Sequence, residues 1–98
     1  MIERDYVIRL FDLYGEFLTD KQREYFKDYY YEDLSLNEIA ENNKVSKALV
    51  GKTIKVTEEK LIDFDKKLGL VNLYDKINEV IDIEKDEKIK NILKEIVK

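Results

Sequence analysis

Cysteine, histidine, proline and tryptophan are all missing from this 98-residue chain, and glycine occurs only three times. Without cysteine neither disulfides nor thiolate metal sites can form, which fits a reducing compartment. Without histidine the usual general base, the commonest metal ligand and every Ser-His arrangement are gone. No apolar run approaches the roughly 18 residues of a membrane span, and the charged opening Glu3-Arg4-Asp5 does not read as a signal peptide. The expectation is a soluble, cytoplasmic protein with no cofactor, no metal and no membrane insertion, and not an enzyme. Two carboxylate groupings, Glu58-Glu59 and Asp63-Asp65, do not alter that reading, because neighbouring or i,i+2 positions on a helix face apart.

What is present favours helices. Charged residues make up 41% of the chain, and the lack of proline removes the strongest helix breaker. The net charge of −4 argues against a polyanion partner until its distribution is considered. Residues 1–43 hold 5 basic and 11 acidic side chains, and residues 61–98 hold 8 and 9. Between them, Lys44, Lys47, Lys52, Lys55 and Lys60 face only Glu58 and Glu59. One basic segment therefore sits inside an acidic protein.

Apolar spacing divides the chain into six helices. Tyr6, Val7, Leu10, Phe11 and Tyr14 form one stripe over about residues 3–14, and Gly15 stands where a left-handed C-terminal cap is usual. Thr19 and Gln22 read as a capping box that opens a second helix running to about Tyr31. Of its Tyr29-Tyr30-Tyr31 run, one or two rings belong in the core and the rest are partly exposed, since three consecutive residues cannot share a helix face. Ser35 and Glu38 form a second capping box, opening a short helix over Leu36–Asn42. Asn42-Asn43-Lys44 is then a tight turn in which an Asn takes the left-handed conformation. Ser46 caps a fourth helix reaching about Lys67, with Gly69 beyond its end. Its Val50, Ile54, Thr57, Leu61, Phe64 and Leu68 make a heptad seam that demands a long partner helix from this chain or from a second copy. Leu49 and Val56, seven apart, lie off that seam. Leu70 to Ile81 and Ile89 to Val97 are two further amphipathic helices, and the charged Asp82–Lys88 stretch between them is compatible with a bend or an unbroken helix. The organisation expected is a helix-turn-helix domain over residues 1–69 and a helical extension over residues 70–98, packed on the same domain or on a second chain.

The segment from Ser35 to Leu61 has the parts of a helix-turn-helix. Ala40 is a small residue that lets two helices approach; Ile39, Val45, Val50 and Ile54 are apolar pins; Ser46 starts the second helix. Such a helix fits the major groove of DNA, about 12 Å wide, and presents its N-terminal half to the bases. The face so presented holds Ser46, Lys47, Ala48, Gly51, Lys52 and Lys55, and it coincides with the basic segment. Lys44, Ser46, Lys47, Lys52 and Lys55 are the candidate nucleic-acid contacts. Lysines chiefly reach phosphates, which sets affinity and salt dependence more than sequence preference.

Residues 10–46 carry a resemblance as well. LFDLYG (Leu10–Gly15), LTDKQRE (Leu18–Glu24), Tyr29-Tyr30 and SLNEIAE (Ser35–Glu41) are similar to the YlxM family of small bacterial helix-turn-helix proteins. The likeness covers roughly residues 8–68. It implies an all-α helix-turn-helix bundle like the promoter-reading C-terminal domain of sigma factors, here with a long fourth helix and C-terminal amphipathic helices. It also implies a regulatory part in the signal recognition particle pathway. The partner expected is DNA or the particle's RNA, with the particle's GTPase as a protein partner. The alternative is a protein-interaction module that binds such a GTPase, or RNA polymerase, without touching nucleic acid. Homodimerisation suits either. Two departures bear on site chemistry. The family tends to an aromatic followed by Gly or Asn where this chain has Asn43 and Lys44. It tends to Arg-Gln-Ala-Val-Tyr where this chain has Lys47-Ala48-Leu49-Val50-Gly51.

Overall fold

The computed structural model describes residues 3–97. These form six α-helices and no strand among the described residues: α1 Arg4–Tyr14, α2 Asp20–Tyr30, α3 Leu36–Asn43, α4 Lys47–Leu68, α5 Leu70–Ile83 and α6 Glu87–Ile96. The protein is an all-α helix-turn-helix bundle, as its apolar spacing predicts. Packing divides it into two compact units, Met1–Lys67 and Leu68–Lys98.

Local chemistry starts the helices where the sequence says. Thr19 accepts the Gln22 N–H at 3.2 Å, while the Gln22 side chain accepts the Thr19 N–H at 3.0 Å. Ser35 and Glu38 repeat the arrangement at 3.1 and 3.0 Å. Accepting the Ser35 N–H holds the Glu38 carboxyl below its ordinary range. Each reciprocal pair satisfies two amides that have no partner inside the helix.

The core of the first unit is aromatic. Val7, Leu10, Phe11 and Tyr14 of α1 are buried together with Tyr25, Phe26 and Tyr30 of α2. Phe11 stacks on Phe26 at 4.4 Å between ring centres, and Phe26 continues onto Tyr30 at 4.5 Å. From α3 and α4 come Ile39, Ala40, Val50, Ile54, Thr57 and Leu61. Buried Thr57 is satisfied by donating to the Thr53 carbonyl at 2.7 Å. Of the tyrosine run, Tyr30 is buried and its neighbours are partly exposed.

Three expectations are corrected. Gly15 is not a left-handed cap: its φ is −57°, and it opens a single 3₁₀ turn over Gly15–Phe17. A side chain there would meet the Phe11 ring at 3.4 Å, so close approach to the aromatic core is what glycine permits at this position. Second, the left-handed residue after α3 is Lys44, at φ 56°, and not an Asn. The Asn43 amide donates to the Ile39 carbonyl at 2.8 Å, which keeps Asn43 inside a helix one residue longer than expected. Third, the heptad seam does not stay buried to its end. Val50 to Leu61 are buried, Phe64 is half-buried and Leu68 is exposed. Up to Phe64 the long helix finds partners in this chain. Tyr14 and Phe17 bring their rings within 6.0 and 5.8 Å of Phe64, and no second copy is needed for that stretch.

In the second unit α5 and α6 pack on each other, and the charged stretch between them does interrupt the helix. Asp86 accepts from the Lys88 and Ile89 amides and so starts α6. Ile81 is its one buried side chain among the described residues, whereas Leu73, Val80, Ile83, Ile89, Ile92 and Ile96 are exposed.

Candidate nucleic-acid interface

The two helices of the motif are joined by three residues. The Val45 N–H reaches back to the Ala40 carbonyl at 3.0 Å and the Lys44 N–H to the Glu41 carbonyl at 3.3 Å. These are the two bonds of a Schellman cap, and they require Lys44 to be left-handed. Ser46 then accepts the Leu49 N–H at 3.0 Å and begins α4. Ile39, Ala40, Val50 and Ile54 are buried and Val45 is half-buried, so the pins hold the second helix against the first.

The opposite face of α4 is open. Lys44, Ser46, Lys47, Ala48, Lys52 and Lys55 are exposed, and Gly51 among them is half-buried. At about 100° per residue Lys47, Gly51, Lys55, Ala48 and Lys52 fall in that angular order along one face. No ammonium group of Lys44, Lys47, Lys52 or Lys55 has an ion-pair or hydrogen-bond partner among the described residues. By contrast Lys67 is held by Asp63 at 2.8 Å and Lys21 by Glu24 at 3.4 Å. No carboxylate occurs between Glu41 and Glu58. Four ammonium groups therefore share a surface on which none is held in an internal ion pair.

The carboxylates further along α4 hold the helix in place. Glu58 accepts from the Tyr30 hydroxyl, and Asp65 accepts from Tyr14 at 2.6 Å. Burial, then the bond to Glu58, pushes the Tyr30 hydroxyl far above its ordinary range. Tyr6, also near Asp65, is shifted up by burial and then by that charge. Among the described residues no three carboxylates come together in a metal-ligating group.

Beside the lysine face lies an open cleft of about 640 Å³, lined by Arg4, Tyr29, Leu36, Gly51, Lys55 and Glu59 among others. Nothing in the apolar spacing or the charge pattern points to it. Arg4 donates to the Tyr30 carbonyl and pairs with Asp33, residues 26 and 29 positions away, and no local pattern signals so distant a match. The one signal available was Gly51 inside a helix, where glycine is disfavoured.

A short capped helix, a tight left-handed turn and a long second helix with a free front face define a helix-turn-helix protein. The chain belongs to the UPF0122 family, described as "Putative helix-turn-helix protein, YlxM / p13 like", whose family model matches residues 1–98. It is similar to UPF0122 protein Teth514_1714 of Thermoanaerobacter sp., with 44% identity over 91% of this chain and 86% of that one. UPF0122 protein lin1916 of Listeria innocua is 43% identical over 91% of this chain and 82% of its own. UPF0122 protein MYPE4850 of Malacoplasma penetrans is 40% identical over 82% and 75% respectively.

Proposed function

We propose that this protein is a non-enzymatic, cytoplasmic regulator that binds nucleic acid through the N-terminal half of α4. Lys44, Lys47, Lys52 and Lys55 take phosphates, and Ser46 sets the start of the reading helix. One observation carries this reading: four exposed lysines on the motif's free face form no ion pair with the chain's own carboxylates among the described residues. Ala48 and Gly51 leave the middle of that face smooth, so binding depends on phosphates and groove shape more than on bidentate base contacts. The resemblance to YlxM proteins supports a part for this regulator in the signal recognition particle pathway, with DNA or the particle's RNA as ligand.

The test is a salt titration with duplex DNA and with signal recognition particle RNA. Four phosphate contacts give a slope of log K against log salt of about −3.6 on duplex DNA. Lys47, Lys52 and Lys55 all changed to Glu abolishes binding. Undiminished binding by that triple variant refutes the proposal.

A second reading keeps a specific observation. Leu49 and Val56 are 46% and 37% exposed and stand seven residues apart beside the lysines. Such a pair suits a protein ligand, either the pathway's GTPase or RNA polymerase. A protein partner captured equally well by the triple variant, and lost on Leu49→Glu, favours this reading. For either reading, a second copy of the chain covering the apolar side chains of α5 and α6 explains why they are exposed. Sedimentation at high concentration tests this, and a monomer alone rejects it.

A further inference from the structure

The cleft beside α4 has a composition of its own. Its volume of about 640 Å³ falls within the range of about 300–1,000 Å³ usual for small-ligand cavities. Leu36 and Ile54 give it an apolar floor. Tyr29 forms a wall, 36% exposed, with its ring fixed edge-on against Tyr30 at 5.1 Å and 87°. Of the charged groups around it, two are already engaged. The Arg4 guanidinium is held by the Tyr30 carbonyl and Asp33, and the Glu58 carboxylate by the Tyr30 hydroxyl. Lys55 and Glu59 have no partner among the described residues, and both are exposed.

Gly51 gives the cleft its width. Nothing in the backbone demands glycine there, because the one glycine with positive φ among the described residues is Gly69. Nor does packing demand it: an added Cβ would sit 3.7 Å from Leu36 Cδ1, in ordinary contact. Gly51, Lys55 and Glu59 are spaced by four and lie on one stripe of α4 over about 12 Å. A ligand lying along that stripe meets a gap, then a cation, then a carboxylate, with an aromatic face alongside.

We infer that this cleft binds a nucleotide: a planar base stacks on Tyr29 over Leu36 and Ile54, its phosphate meets Lys55, and Glu59 accepts from an exocyclic amine or a ribose hydroxyl. A simple anion leaves the aromatic wall and the apolar floor unused and lies close to Glu59. A purely apolar ligand leaves Lys55 and Glu59 without partners. A base bearing one phosphate satisfies all of them. It has two sources, a free mononucleotide or a nucleotide turned out of an RNA strand, where exposed bases commonly stack on aromatic side chains. The inference shares Gly51 and Lys55 with the proposed function.

The experiment follows backbone amide resonances of the full chain during titration with AMP, adenosine and inorganic phosphate. AMP shifts the amides of Tyr29, Gly51, Lys55 and Glu59 saturably, and each fragment alone binds about tenfold more weakly. Gly51→Leu, which occupies the gap while improving helix propensity, removes the AMP shifts; so does Tyr29→Ala at an exposed position. The parallel arm compares an RNA duplex carrying one bulged adenosine with the same duplex unbulged. A preference of about tenfold for the bulge, lost in Tyr29→Ala, assigns the site to an everted nucleotide. No preference, with AMP displacing the unbulged duplex, assigns it to a free nucleotide. Phosphate reproducing the AMP shifts overturns the inference, as do AMP shifts that survive both variants, or no AMP shift together with no bulge preference. Failure of the proposed function is seen separately, as absent duplex binding while AMP still shifts the cleft amides.

Discussion

Lys44 joins two properties that a single substitution can separate. It is left-handed, at φ 56° and ψ 44°, a conformation that costs a residue with a Cβ about 1–2 kcal/mol. It is also the first of the four unpaired lysines. Lys44→Gly relieves the backbone, but glycine has more freedom to lose on folding, which takes back about 0.5–1 kcal/mol. The net expectation is a gain of about 0.5–1 kcal/mol, near a rise of 2–8 °C in Tm for a domain of this size. Lys44→Ala removes the same charge and keeps the strain, so its stability stays close to wild type. Both variants lose one phosphate contact, and both reduce the salt slope of duplex binding by about 0.9. Thermal melts of the three proteins, with salt titrations beside them, make the comparison. A Lys44→Gly protein no more stable than Lys44→Ala refutes the strain argument, whatever happens to binding. Unequal salt slopes for the two variants refute the claim that Lys44 acts on the ligand only through its charge.

Other outcomes follow from the same geometry. Gly51→Ala raises stability by about 0.5–1 kcal/mol in a denaturant titration, because the new methyl group meets Leu36 at ordinary contact distance. Leu10→Ala, at a position with no solvent exposure, lowers stability by about 2–5 kcal/mol in the same assay. Tyr31, lifted from 10.0 to about 12 by burial and by its bond to Asp12, favours the protonated folded state. Its contribution is intact below pH 10 and is lost as the pH climbs toward 12, so alkaline melts of Tyr31→Phe show a shallower fall than wild type.

The helix starts were legible because they are written in short range: Thr19 with Gln22, Ser35 with Glu38, and Ser46 each act on an amide two or three residues away. Helix ends were less so. Gly15 fitted a left-handed cap as well as a close approach, and only the position of Phe11 decides between them. Lysine is an uncommon left-handed residue, so an Asn was the natural choice in the turn. It loses that place because its amide bonds the Ile39 carbonyl. The lysine face was visible because one helix supplies it. The cleft beside it was not, since it assembles from Arg4, Tyr29, Leu36 and α4, residues whose association depends on the folded core.

The grip of Tyr30 on Glu58 and of Tyr14 on Asp65 has a mechanical meaning. Both carboxylates lie on the same unbroken helix as Lys47, Lys52 and Lys55, Glu58 within a turn of Lys55 and Asp65 nearly three turns beyond it. Loosening either tyrosine at that rear handle would let the forward end swing while every lysine stayed intact. Variants such as Tyr14→Phe are thus a means to alter the aim of the helix without altering its charge.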